Sequence, residues 1–334
     1  MTLYIDCIRD ALDRCLAADP RVCIIGEDLL DPYGGAFRAT KGLSTKYPGR
    51  IHTTPISESA IIGIATGMAM RGMRPVAEIM FGDFMTLCAD QIINSATKFP
   101  LMYKGKVKVP SVIRTPVGGA RGYGPTHSQS LEKLFFGVPG LRIVAPNRLC
   151  DPGHLLEYSI LGEECPTLFI EDKGDYAHRL FPCDPRSLEM KEMGSGTPYP
   201  IVFSRNFVGN KNPDITILSY GGGASMAAKV LDELAAEEIR GMLIAPTEVN
   251  NPDTLRKIIE ALPRSTPVII AEQGTHGFGW SSEIMALMLE AGRVDCKVKR
   301  LAARPDVIPA ARHLEADVIL TEISIKHSIY EVLT

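Results

Sequence analysis

Short apolar runs and segments of helical period alternate through the first half of the chain. Leu3 to Ala18 has apolar residues at helical spacing and ends at Ala-Asp-Pro, so a helix is expected there. VCII (Val22 to Ile25) reads as a short buried strand, followed by the turn-like GEDLLDPYGGAF. Ser57 to Arg71 is the second expected helix. Twelve uncharged residues follow Glu58 in it, with Gly63, Ala65 and Gly67 as small spacers. A helix that is apolar on nearly every side is a buried helix. RPVAEIMF reads as a strand and FMTLCADQIINSATKF as a helix. VPSVIRTP and LRIVAP read as strands, DPGHLLEYSILG as a helix and PTLFIE as a strand. Such alternation predicts a largely parallel sheet covered by helices on both faces.

From about Tyr176 to Asp214 the periodicity fails. Pro182, Pro185, Pro198, Pro200 and Pro213 are scattered through a polar segment containing Gly-Ser-Gly, which reads as a connector. Alternation then resumes: ITILSYG, GMLIAP and PVIIAEQ as strands, ASMAAKVLDELAAEE, NPDTLRKIIEAL and WSSEIMALMLEAG as helices. At 334 residues the chain exceeds one comfortable core. The expected fold is therefore α/β with two doubly wound domains, at 1–178 and 214–334, joined by a linker at 179–213.

A hydrophobic content of 45% and a charged content of 22% are those of a soluble globular protein. The net charge of -3 offers no basic field for nucleic acid or anionic lipid. No window supplies the roughly 18 apolar residues of a membrane span. MTLYIDCIRD has no basic segment leading into an apolar core, so no secretory signal is expected. None of the eight cysteines forms a Cys-x-x-Cys pair, which argues against a zinc ribbon or dithiol site. Cys7, Cys15 and Cys23 read as core thiols, and a reducing, cytoplasmic compartment is the expectation.

The chain contains no phosphate loop, no His-Glu-x-x-His and no Gly-x-Ser-x-Gly elbow. YGGGASMAAKV approaches a dinucleotide turn but lacks its spacing and its acidic partner. Glu58 has two readings. It is a first-turn acid favoured by the helix dipole, or a carboxyl set against apolar surface, suited to holding or handing over a proton. His127 stands in GGARGYGPTHSQS, a glycine-rich loop of the kind that carries catalytic groups. Ser128 beside it lacks the elbow that a Ser-His nucleophile needs. Phe81 and Phe84 follow a strand, as core residues or as a flat apolar wall beside a planar ring.

Six segments together resemble one family. They are IGEDLLDPYGGAFRATKGL, TPISESAIIGIATGMAMRGMRPVAEIMFGDF, DQIINSATK, VPSVIRTPVGG, HSQSLEKLFFGVPGLRIVAPN and PTLFIEDK, spanning residues 24 to 173 almost without a break. DITILSYGGGASMAAKVLDEL and AEQGTHGFGWSSEI match more loosely. The chain resembles the beta subunit of the thiamine-diphosphate-dependent decarboxylase component of 2-oxo-acid dehydrogenase complexes, of pyruvate and branched-chain type. The resemblance implies a pyrimidine-binding domain followed by a transketolase-type C-terminal domain. It implies that Glu58 hydrogen-bonds N1′ of the cofactor's aminopyrimidine, so that the 4′-nitrogen can take the thiazolium C2 proton. Phe84 would stack on the aminopyrimidine with Met80 beside it. His127 would serve the substrate and the later acyl transfer to a lipoyl group. The family's monovalent cation site precedes the strand matched by PTLFIE; SILGEECP carries an insertion there, which leaves potassium open.

The superfamily holds the cofactor's diphosphate and Mg²⁺ through a Gly-Asp-Gly motif, and none occurs here. Mg²⁺ favours a carboxylate or two plus phosphate oxygens. The resemblance thus implies half an active site, with an alpha-type subunit supplying the diphosphate half of an α2β2 assembly. LIAPTEVNNPD and the tail RPDVIPAARHLEADVILTEISIKHSIYEVLT depart from the family pattern. They leave open the docking on a lipoyl acyltransferase, and with it a split transketolase-like or carboligating enzyme as the alternative.

Overall fold

The computed structural model describes residues 3–181, 188–194, 198–209, 211–293 and 295–334. Its first sheet is wholly parallel. The strands are β1 (Val22–Gly26), β2 (Ile51–Thr53), β3 (Arg74–Glu78), β4 (Val112–Val117), β5 (Arg142–Val144) and β6 (Thr167–Asp172), in the order β2-β1-β3-β4-β6-β5. β1, β3, β4 and β6 are buried along their whole length, as strands covered on both faces must be. The helices are α1 (Tyr4–Ala18), the short α2 (Leu43–Lys46), α3 (Glu58–Met70), the short α4 (Phe99–Met102) and α5 (Pro152–Leu161). α1 buries Ile8, Leu12, Cys15 and Leu16 against this core, each aliphatic side chain contributing ~1.5–3 kcal/mol. Cys7, Cys15 and Cys23 are buried thiols, and burial pushes Cys15 up to about 12.

One buried cation ties three strand ends together. Arg114 on β4 donates to Glu78 at the end of β3 (2.8 Å) and through two nitrogens to Glu171 on β6 (2.7 and 2.8 Å). The Tyr176 hydroxyl donates to the same Glu171 (2.8 Å). Pairing of this kind offsets the cost of burying the charges.

The second sheet contains β7 (Glu189–Met193), β8 (Ile201–Arg205), β9 (Ile215–Ser219), β10 (Gly241–Pro246), β11 (Val268–Thr275) and β12 (Val298–Ala303), in the order β12-β11-β9-β10-β8-β7. Its helices are α6 (Gly221–Leu234), α7 (Pro252–Ala261), α8 (Trp280–Glu290), α9 (Arg312–Ala316) and α10 (Glu322–Leu333). β7 and β8 form an antiparallel edge within the segment expected to be a linker. Ile201, Val202 and Ser204 are buried there. Pro198 and Pro200 precede the strand, where proline costs no ladder hydrogen bond, and they break the sequence pattern that would reveal it. Pro182, Pro185 and the Ser-Gly of the Gly-Ser-Gly lie outside the described residues.

Two helix expectations are corrected. FMTLCADQIINSATKF is not one α-helix but a 3₁₀ turn (Gly82–Cys88), a π turn (Gln91–Ala96) and α4. The Thr97 hydroxyl takes the Ile93 carbonyl (2.8 Å), and the Thr97 amide reaches back to Ile92 (3.2 Å). That shift widens the turn. α6 begins at Gly221, three residues ahead of the expected Ala224.

The two domains interlock. Ala145 N donates to Thr247 O (2.8 Å) and Val249 N to Ile143 O (3.0 Å), so the end of β5 carries the second domain. Among the described residues, no helix is long and apolar enough to cross a membrane.

Candidate functional site

The carboxyl ends of β1, β3, β4 and β6 meet along one edge of the first sheet. Ligand crevices of open parallel sheets lie outside this edge. Glu27 follows β1, and Ile79 to Phe81 lead from β3 into the 3₁₀ turn. The glycine-rich loop to His127 follows β4, and Lys173 follows β6.

Glu58 is the first residue of α3 and only 6% exposed. Its neighbour Glu27 is also buried, and Glu27 Oε1 has no hydrogen-bond partner. Burial, and then the Glu58 charge, push the Glu27 carboxyl above its ordinary range. The same two causes push the Cys88 thiol up to about 12. Glu58 therefore lies within electrostatic reach of both groups. Ser59 Oγ donates to Leu87 O (2.5 Å), pinning the first turn of α3 to the 3₁₀ turn that carries Phe84.

An aromatic nest completes the edge. The His127 ring stands edge-on to Phe81 (centroids 4.6 Å apart) and to Phe84 (5.2 Å), and Phe81 meets Phe84 at 5.8 Å. Phe37 and Tyr123 close on Phe81 at 5.6 and 6.1 Å. Such T-shaped contacts set ring edges against ring faces. Gln129 donates to Asp83 Oδ1 (2.8 Å), fastening the segment after His127 to the 3₁₀ turn. Thr126 Oγ1 lies 2.9 Å from His127 Nδ1. Met80 is half-buried, one residue ahead of Phe81. The structure thus brings His127 and Phe84 into contact and sets Glu58 behind the same turn. Ser128 Oγ is buried without a partner, so no Ser-His pair forms.

Sequence reasoning missed Glu27, Phe37, Tyr123 and Lys173. Position at a strand's carboxyl end was the available signal for Glu27 and Lys173. Lys173 is fully buried, and its ammonium lies 5.4 Å from the Phe81 ring centroid without a hydrogen-bond partner. Burial pushes it down to about 8, against the pull of Asp83 and Asp172.

The buried Glu58, the orphaned oxygen of Glu27 and a half-exposed aromatic wall suit a planar heterocycle that exchanges a proton. The triple-glycine turn does not suit a nucleotide. A Cβ at Gly222 would overlap the Asp172 carboxyl, so a first-domain side chain already fills the space against the α6 N-terminus. Two carbonyls in the segment before β6, Ile160 O and Glu163 O, accept from the buried Arg74 guanidinium (2.9 and 2.8 Å). The chain meets those acceptors with its own cation, so these carbonyls do not suit a potassium ion. No group of three metal-ligating side chains converges among the described residues.

The fold and the site define a transketolase-like protein. The family described as "Transketolase, pyrimidine binding domain" matches residues 3–178, and "Transketolase, C-terminal domain" matches residues 207–325. A split-gene transketolase, solved as an inactive beta4 tetramer, superimposes with a TM-score of 0.72 at 17% identity. It covers 99% of this chain and 97% of that one, and shows the shared fold.

Curated relatives narrow the class. The mitochondrial pyruvate dehydrogenase E1 component subunit beta-1 of Arabidopsis thaliana is 33% identical, over 93% of this chain and 83% of its own. The 2-oxoisovalerate dehydrogenase subunit beta of Bacillus subtilis is 34% identical, over 91% and 89%. The acetoin:2,6-dichlorophenolindophenol oxidoreductase subunit beta of Cupriavidus necator is 33% identical, over 84% and 81%. The chain belongs to this family of transketolase-like dehydrogenase beta subunits.

Proposed function

We propose that the chain is the beta subunit of a thiamine-diphosphate-dependent 2-oxo-acid dehydrogenase, decarboxylating a 2-oxo acid and passing on the acyl group. The observation that carries this reading is the buried Glu58 behind the Phe81–Phe84–His127 nest, in a chain whose relatives are named as such subunits. Thiamine diphosphate, when bound, would supply a nucleophilic thiazolium carbon and an electron sink for decarboxylation.

The chain's own residues prepare that chemistry. Glu58 holds and moves a proton at N1′ of the aminopyrimidine. Its burial keeps water from competing, and burial together with the Glu58 charge holds the neighbouring Glu27 carboxyl above its ordinary range. Phe84 and Met80 provide the apolar wall against the ring. His127, on its loop, handles the substrate and the outgoing acyl group.

Support for an alpha-type partner comes from α3. Its outer face is apolar yet open, with Ile64 49% exposed and Ile56 ahead of it 83% exposed. A Cβ at Gly63 or Gly67 would meet nothing. The partner would hold Mg²⁺ and the diphosphate in an α2β2 assembly, with a lipoyl group as acceptor. The split-transketolase alternative has only a 17%-identical fold likeness behind it.

The test is Glu58→Gln in the enzyme reconstituted with its partner, thiamine diphosphate and Mg²⁺. Decarboxylation should fall by about 10²–10⁴-fold, the range for a lost acid–base group, with assembly unaffected. Full activity in the variant would remove Glu58 from its assigned role. A panel of pyruvate, branched-chain 2-oxo acids and acetoin, with product analysis for acyl-lipoamide against acyloin, assigns substrate and acceptor.

A further inference from the structure

The loop from Gly118 to Gly124 leads out of β4 to His127. Gly118, Ala120, Gly122 and Gly124 all lie in the left-handed region, with φ of +89°, +65°, +71° and +78°. Ala120 is strained there, since a Cβ disfavours that region. The loop's ends are weakly tied: His127 N reaches Gly124 O, and Gly118 N reaches Gln129 O, both at 3.4 Å. A strained loop persists only when its surroundings over-determine it.

Those surroundings come from two directions. Arg121 donates to Lys173 O (2.5 Å), which ties the loop to the end of β6. The second tie comes from the far end of the chain. Glu315, on α9, accepts the Gly122 amide through Oε2 (2.8 Å). A Cβ at Gly119 would lie 3.0 Å from Glu315 Oε1 and 3.3 Å from Ile319, and one at Gly122 would lie 3.0 Å from Ala310 O. Glycine at these positions lets the C-terminal segment close on the loop.

Glu315 is fully buried, and its Oε1 has no hydrogen-bond partner. A buried carboxylate with one orphaned oxygen is a costly way to fill space. Its backbone is satisfied without the side chain: its amide bonds Ala311 O, and its carbonyl accepts Val318 and Ile319. The segment itself is firmly seated. Arg304 N bonds Val318 O (2.8 Å), Leu320 is buried, and the capped helix α10 buries Ile325 and Ile329. The hydrogen bond from the Gly122 amide is thus what the buried carboxylate makes.

We infer that Glu315 is a positioning residue for His127: the second domain delivers its carboxylate to Gly122 and holds the loop over the Phe81–Phe84 wall. This rests on the proposed function for the reaction in which His127 acts. The loop-holding itself stands on geometry alone. It also gives the divergent tail a role at the site, through the stretch from Ala310 to Ile319.

The test uses the full chain assembled with its alpha-type partner, as parent, Glu315→Ala and Glu315→Gln. Hydrogen exchange of the Gly119–His127 amides should rise about tenfold or more in Glu315→Ala, as loss of a buried hydrogen bond requires. Amides of α3 around Glu58 should stay unchanged. Glu315→Gln keeps an acceptor for Gly122 N and should remain within about threefold of the parent. In turnover, kcat of Glu315→Ala should fall about tenfold while KM and cofactor affinity hold within about threefold. Unchanged loop exchange in a folded Glu315→Ala overturns the inference, as does a rise spread evenly over both domains. A loosened loop with unaltered kcat overturns the positioning role. A parent inactive on every oxo acid defeats the functional reading instead, and leaves the exchange comparison intact.

Discussion

Lys173 shows how a residue beside the candidate site can escape notice in a sequence. A lysine after a strand reads as a solvated charge, and only the tertiary fold shows its ammonium sealed over Phe81 without a partner. Burial lowers it from about 10.5 to about 8, so between those values the unfolded chain binds more protons than the folded one. Stability must therefore rise with pH across that window, by an amount on the order of 3 kcal/mol at ~1.4 kcal/mol per unit. Lys173→Met should lack this rise and be the more stable chain at pH 7. Urea denaturation at pH 7, 8.5 and 10 measures it, and parallel curves for parent and variant would defeat the argument. Glu58, Phe84 and His127 stand out in the sequence because each sits at a recognisable junction: a helix start, a strand end, a glycine loop. Glu27 does not, since its importance lies in its burial beside Glu58.

At the scale of elements, periodicity located most helices and strands but said nothing of what lies beside them. α3 is the instructive case. Its apolar composition predicts a helix buried all round, yet one face alone is buried, with Glu58, Ile61, Ile62, Ala65, Thr66 and Ala69, while Ala60, Ile64 and Gly67 face outward. That composition suits a helix with a second neighbour, and on the proposed function the alpha-type subunit supplies it. Gly67→Leu tests this directly. The site is open, and glycine is about 0.8–1.0 kcal/mol worse than alanine inside a helix, with leucine ranking near alanine. The variant should therefore fold at least as well as the parent, read from its thermal midpoint. It should lose the alpha-type partner in dual-tag co-purification; retained pairing would place the partner elsewhere. The π turn was illegible for another reason. The Thr97 hydroxyl competes for a backbone acceptor, and that contest leaves no mark on apolar spacing.

The whole molecule depends on a seam that the two-domain reading underestimates. Tyr220, which caps α6 in the second domain, donates to Glu132 Oε1 of the first (2.8 Å). Glu132 is buried with Oε2 unpartnered, and burial pushes it up to about 7, with nearby Glu272 and Asp172 adding to the rise. The folded chain therefore keeps a proton that the unfolded chain has lost between about 4.5 and about 7. By linkage, this seam stabilises the protein most at the acid end of that window and loses its contribution as pH climbs to 7. The loss is on the order of 3 kcal/mol. Glu132→Gln, which cannot ionise, should flatten the slope between pH 5 and 7 and overtake the parent in stability at pH 8. Chemical denaturation at pH 5.5 and pH 8 makes the comparison. A parent-to-variant difference that does not change between the two would mean that Glu132 stays ionised in the fold. Because Tyr220 also leads into the glycine turn seated on Asp172, loosening at high pH should appear first as exchange of the α6 N-terminal amides. Global unfolding should follow only afterwards.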